Sequence, residues 1–195
     1  MRVFLADNKH IVYASTHLAD PACPANPDRS KGYLWGVFEG YDIFLATDDG
    51  KIEKRLTETR GYDAEATVNW KTGNIVYKSL LAENLTAPMK MEIVVANADG
   101  SGARTITTFG CASFAPTFTP DGKKILFSSN KQECDSRHFE LYLINVDGSG
   151  LEQVTSTGGF TSFPEFSPDG KTLVFCSDLD AKERYEFNIF TAKWN

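Results

Sequence analysis

Histidine and cysteine are scarce in this chain, and basic residues never cluster. Its 195 residues include three histidines and four cysteines, none of them in a Cys-x-x-Cys pair, which argues against structural zinc and thioredoxin-type chemistry. His-Glu-x-x-His and Gly-x-Ser-x-Gly are missing as well, removing two signatures of hydrolytic catalysis. No apolar run reaches the roughly eighteen residues of a membrane helix. No Lys/Arg run is longer than the pair Lys123-Lys124, and the formal net charge is −6. Such a surface offers a phosphate backbone no basic stripe, so nucleic acid is not an expected partner. No cofactor and no metal are expected, and an enzyme is less expected than a binding protein. The opening MRVFLADNKH is too short in apolar length for a signal peptide.

What is present is a repeat. TFTPDGKKILFSS at 117–129 returns as EFSPDGKTLVFCS at 165–177, TVNWKTGNIVYKS at 67–79 and, more weakly, VFLADNKHIVYAS at 3–15. A second unit follows each copy: DIFLATDDG at 42–50, EIVVANADG at 92–100, ELYLINVDG at 140–148 and NIFTAKWN at 188–195. Pro120-Asp121-Gly122-Lys123 reads as a hairpin turn, with proline fixing φ and glycine accepting positive φ. The strand after it is apolar at consecutive positions (Ile75-Val76-Tyr77, Ile125-Leu126-Phe127, Leu173-Val174-Phe175), as expected where both faces of a sheet are covered. Each module is therefore a four-stranded antiparallel meander. Stacking such sheets at a repeat of about 40–50 residues is the arithmetic of a β-propeller. The expected fold is all-β: one domain over 1–195 with modules about 1–60, 61–110, 111–160 and 161–195, the last incomplete. Closure into four blades and an open, partial propeller both stay open; an open arc would expose its end faces and favour a homodimer.

The phrase Ser162-Phe163-Pro164-Glu165-Phe166-Ser167-Pro168-Asp169-Gly170-Lys171, with Arg55-Leu56-Thr57 and the joint Gly61-Tyr62-Asp63-Ala64-Glu65-Ala66-Thr67, resembles the repeat of the TolB-type, WD-like propellers. The resemblance covers nearly the whole chain. It implies a non-catalytic scaffold that binds a protein or peptide partner, of the bacterial cell-envelope type, periplasmic or exported. The alternative it leaves is the gating or substrate-binding propeller of a prolyl-oligopeptidase-type hydrolase, or another propeller enzyme.

In a four-stranded meander the loop between strands two and three lies on the same end as the joint between modules, and function is expected there. The opposite end carries tight turns, whose aspartates are turn formers. On the loop end the segment 16–41 is long and rich in aromatics, and His17, Arg29, Tyr33 and Trp35 are its candidate binding residues. Asp63 and Glu65, two apart on a strand entrance, are expected to point to one side and add a pair of carboxylates. The plainer reading has Asp63 capping a turn and Glu65 pairing with a nearby base. Cys111 and Cys134 both fall in end loops of the third module and are a candidate disulfide; Cys176 reads as a small apolar filler.

Overall fold

The structure is a computed structural model that describes residues 2–28, 30, 36–85 and 89–195. Among the described residues fifteen strands form four separate antiparallel sheets, each running in sequence order. The first contains β1 (Arg2–Phe4), β2 (His10–Ser15), β3 (Asp42–Thr47) and β4 (Ile52–Arg55). The second contains β5 (Gly61–Val68), β6 (Ile75–Leu81), β7 (Glu92–Ala96) and β8 (Arg104–Thr105). The third contains β9 (Ser113–Phe118), β10 (Lys124–Ser129), β11 (Glu140–Asn145) and β12 (Glu152–Gln153). The fourth has three strands, β13 (Thr161–Phe166), β14 (Thr172–Ser177) and β15 (Asn188–Lys193). A single helical turn, Ala82–Asn84, is the one helix among the described residues.

The turn chemistry follows the sequence. Asp121 accepts from the Thr119 hydroxyl (2.6 Å) and from the Lys123 amide (3.0 Å), and Asp169 does the same with Ser167 and Lys171. These bonds draw the carboxyl pKa values down, the hydroxyl bond foremost. Gly122 sits at φ +75°, where a Cβ would come within 2.6 Å of the Asn69 amide that donates to its carbonyl. Only glycine meets both demands.

Each sheet then buries its faces against its neighbours. Val12, Ile43 and Leu56 of the first meet Ile75, Tyr77 and Val94 of the second. Val76, Ile93 and Val95 of the second meet Ile125, Phe127 and Tyr142 of the third. Leu126, Leu141 and Leu143 of the third meet Leu173, Phe166 and Phe175 of the fourth. Each such aliphatic side chain contributes about 1.5–3 kcal/mol on burial. Packing joins consecutive sheets and forms an open arc. The expectation that every second strand is covered on both faces therefore fails in the fourth sheet, where Val174 is only half-buried because no fifth sheet among the described residues covers its face.

Two repeated joints lock the sheets in register. One is a short parallel bridge that pairs the residue before the third strand with the next inner strand: Tyr41 with Tyr62, Met91 with Ala112, Phe139 with Phe160. Asp63, Ser113 and Thr161 donate their amides across it at 2.8–2.9 Å. The other is a threonine held between two partners. Thr57, Thr107 and Thr155 accept from the amides of Ile43, Ile93 and Leu141 at 2.8–2.9 Å, and donate to Asp42, Glu92 and Glu140. A third tie is covalent: Cys111 and Cys134 are joined as a disulfide, Cα–Cα 4.8 Å, which fastens the β10–β11 loop to the start of β9.

Replacing Thr107 with alanine orphans the Ile93 amide and one Glu92 oxygen in a buried setting. The expected cost is about 2 kcal/mol, a fall of roughly 4–8 °C in Tm for a chain of this size, measurable by calorimetry against Thr107→Ser, which keeps the hydroxyl and should recover most of the loss.

Candidate functional site

The loop end of the arc holds the side chains singled out above. At that end the first strands of the second, third and fourth sheets each carry a bulge, marked by a non-glycine residue in the left-handed region: Glu65 at φ +57°, Ala115 at +50° and Phe163 at +54°. Three non-glycine residues held there at matching positions signal strain that the surrounding joints must hold in place.

The bulge decides where Asp63 and Glu65 go. Asp63 pairs in register with Ser79, and Ala64 with Lys78. An unbroken strand would return residue 65 to the face of Asp63. Instead the bulge puts Glu65 on the Lys78 side, where its Oε1 meets the Lys78 Nζ at 2.6 Å and its Oε2 accepts the Ala115 amide at 2.8 Å. The carboxylates do not converge, which corrects the expectation that they share a side. Glu65 joins the second sheet to the third, whereas Asp63 faces back toward the first.

Lys78 is 1% exposed. Its ammonium lies 5.0 Å from the Tyr62 ring centre and 5.7 Å from that of Phe114, in addition to its bond to Glu65. Burial pushes the lysine pKa down while Glu65 pulls it up. Removing one partner of such a pair costs about 3–5 kcal/mol because the other charge stays buried.

Asp63 is fully buried; its Oδ2 accepts from the Thr59 hydroxyl and its Oδ1 has no hydrogen-bond partner among the described residues. At this register position the third and fourth sheets carry hydroxyls instead, Ser113 bonded to Ser129 at 3.0 Å and Thr161 to Ser177 at 2.9 Å. Burial lifts the Asp63 pKa above the aspartate range, opposed by hydroxyl donors and reinforced by the nearby Asp42. Asp42 is itself held by the Arg55 Nη2 at 2.6 Å.

His17 stands beside this group on the first sheet. Its Nδ1 is 3.0 Å from the Ser15 hydroxyl, whose residue is the register partner of Asp42, and its ring lies 4.5 Å from Phe44. Its buried Nε2 has no partner among the described residues. Asp63 thus faces Asp42 from the second sheet, and His17 stands one residue pair away on the first. Arg29, Tyr33 and Trp35 lie outside the described residues.

An aromatic belt runs along the same end. Tyr41 and Tyr62 stand 5.0 Å apart at the first joint; Phe114, Phe139 and Phe160 follow at 5.1 and 5.5 Å; Phe160 reaches Phe187 at 5.1 Å, and Phe114 reaches Phe163 at 5.7 Å. The belt ends in the open: Phe163 is 40% and Phe187 47% exposed. A cleft of about 140 Å³ opens nearby, lined by Asn130, Glu133, His138, Glu140 and Gln153. Among the described residues no group of three or more His, Cys, Asp or Glu side chains is placed to hold a metal, and no helix is long and apolar enough to cross a membrane.

The repeated meanders, their shared joints and the matching bulges describe propeller blades, and residues 85–190 match the family model of the TolB beta propeller domain. The chain belongs to that family. Among solved structures it is similar to the putative TolB of Agrobacterium tumefaciens, with TM-score 0.72 and 17% identity over 98% of this chain and 60% of that one. It is also similar to TolB of Acinetobacter baumannii, with TM-score 0.69 and 22% identity over 96% of this chain and 39% of that one. Kuenenia stuttgartiensis hydrazine synthase aligns at TM-score 0.64 and 15% identity, over 100% of this chain and 31% of the other. At these identities the likeness is one of fold. This TolB-family chain spans less than two thirds of the length of both TolB structures. No curated protein matches it in sequence.

Sequence reasoning passed over Lys78, the threonine joints and the belt. The joints left a signal, since each threonine follows its acid by 15 residues in three modules. Lys78 left one too, as a lone charge in the apolar strand IVYKSLL.

The sign of the Asp63 effect is fixed. A buried acid with a raised folded-state pKa gives stability that is complete below the ordinary aspartate range and is lost as pH rises through the folded value. Asp63→Asn removes that loss, so its Tm advantage over the native chain should be near zero at about pH 4 and positive at about pH 8. Paired thermal melts across that range test this; an advantage that does not change with pH contradicts it.

Proposed function

We propose that this chain is a non-catalytic propeller scaffold that binds a protein or peptide partner on its loop-rich end. The observation that carries the reading is the aromatic belt, joined ring to ring from the third sheet to the fourth and ending in the exposed rings of Phe163 and Phe187. Large rings offer contact area at low entropic cost, and clustered aromatics are the usual anchors of protein interfaces. In this reading the residues of segment 16–41 singled out in the sequence, His17, Arg29, Tyr33 and Trp35, contribute to partner binding. Asp63 and Glu65 act beneath it, holding adjacent sheets and their rings in place. The chain's net charge of −6 favours a partner with basic residues at the rim.

The proposed setting is the cell envelope. The Cys111–Cys134 disulfide supports an oxidising compartment, and the family resemblance implies an exported protein. The open arc supports pairing with a second copy.

Peptides selected from a random phage-displayed library against the native chain test the binding reading. They should bind the Phe163→Ala/Phe187→Ala variant at least about tenfold more weakly, with its circular dichroism unchanged and a loss of only several degrees in melting temperature, the size expected for two half-exposed rings packed on Phe114 and Phe160. Selected peptides that bind both proteins equally would remove the belt from the account.

A further inference from the structure

The joint acid of the first sheet has an ion partner that the joint acid of the third sheet lacks. Asp42 is held by the Arg55 Nη2 at 2.6 Å. Arg55 stands on the outer strand opposite Phe44, two residues beyond that acid. In the third sheet the same register runs from Glu140 to Tyr142 and across to Gln153. A glutamine thus takes the place of the arginine, and no Lys or Arg pairs with Glu140 among the described residues. Here the cleft of about 140 Å³ opens, with Glu140, Tyr142 and Gln153 among its lining residues. A guanidinium from within the chain therefore sits in the first sheet where the third sheet has a cleft.

The cleft is chemically one-sided. The side-chain amides that line it spend N–H groups on the chain's own oxygens: Asn130 on the Cys134 and Ser136 carbonyls, Gln132 on the Gln153 side chain, Gln153 on the Thr155 carbonyl, at 2.5–3.1 Å. No Lys or Arg is among the lining residues. Lys131, adjacent in sequence, keeps its ammonium over the Phe109 and Tyr142 rings at 5.3 and 5.5 Å. Two carboxylates remain. Glu140 accepts from Thr155, Thr157 and Gly158, which leaves room for one more donor on the roughly four lone-pair sites of a carboxylate. Glu133 is 70% exposed, and its ion-pair partner among the described residues is the His138 ring at 3.9 Å. The wall that carries Glu133 is fastened by the Cys111–Cys134 disulfide and by the Asn130 amide, so it needs little ordering on binding.

We propose that this cleft receives the guanidinium of an arginine carried by the protein or peptide partner, with Glu133 and Glu140 supplying the charge and the disulfide-fastened loop the outer wall. The inference rests on the partner reading above and adds to it the residue that the partner brings. A guanidinium is planar, always charged, and offers five N–H donors with no acceptor. It matches a pocket whose own donors are spent and whose carboxylates no Lys or Arg neutralises. The volume lies below the roughly 300–1,000 Å³ of a small-molecule pocket and suits one side-chain head group. Arg55 on Asp42 is the same pairing made within one chain.

N-acetyl-L-arginine amide at millimolar concentration, titrated into the native chain and followed by amide chemical shifts, should move the signals of Gln132, Glu133, Gln153 and Gly158. N-acetyl-L-citrulline amide, of the same shape without the charge, should not. Gln153→Arg supplies the guanidinium from within and should abolish the response, and Glu133→Gln should weaken it several-fold, both with native circular dichroism. None of these readouts involves Phe163 or Phe187, so the cleft and the belt fail separately. Peptides selected on the native chain should carry arginine and bind Gln153→Arg several-fold more weakly. The absence of localised shifts, equal shifts from the citrulline compound, or an undiminished response in Gln153→Arg overturns the proposal. Should Gln153→Arg fail to fold, undiminished binding by Glu133→Gln overturns it instead. A probe that binds while the selected peptides lack arginine overturns the partner's arginine and leaves the cleft to a free guanidino compound.

Discussion

The structure depends on a constraint that no single sheet can satisfy: a four-stranded meander with two apolar faces must find a neighbour on each side. Everything that fixes the arc serves that contact. The parallel bridges at Tyr41, Met91 and Phe139 set the height of one sheet against the next. The threonines Thr57, Thr107 and Thr155 tie the third strand to the connection that leads into the following sheet. Both joints use buried polar groups that would be costly unpaired, so they resist sliding more than they add net stability. Where the contact is missing, at the fourth sheet, the same residue types stand exposed.

Those joints also make the surface. Because the residue before the third strand is aromatic in three of the four sheets (Tyr41, Phe139 and Phe187, with Met91 in the second), the geometry that aligns the sheets lines up the rings. The bulges place Glu65, Ala115 and Phe163 at equivalent points of successive inner strands. At the first, Glu65 spends its carboxylate on Lys78 and the Ala115 amide; at the third, Phe163 leaves a ring partly in solvent. One backbone device thus yields a buried ion pair at one blade and an exposed anchor at another.

The fold was legible because it is written four times. Repeated Asp-Gly turns and apolar second strands determine hairpins, and their spacing determines stacked sheets. The TolB-type phrase around 162–171 agrees with the family found for 85–190. The site was less legible, for physical reasons. Asp63 and Glu65 looked like neighbours on one face because alternation is the default of a strand, and nothing in Ala64-Glu65-Ala66 announces a left-handed residue. The exposure of Ile189 was hidden for the opposite reason: its side chain matches Ile43 and Ile93, and burial depends on what lies beyond the sheet. Lys78 could be seen as a charge in an apolar strand, but its partner lay across the bulge.

The central claim is that the joints make the sheets one cooperative body, and native-state hydrogen exchange tests it most directly. The amides of Ile43, Ile93 and Leu141, which donate to the joint threonines, and those of Asp63, Ser113 and Thr161, which cross the bridges, should all exchange with one free energy equal to that of global unfolding. Separate free energies, falling sheet by sheet along the arc, would mean that each meander opens by itself and that the joints do not couple them.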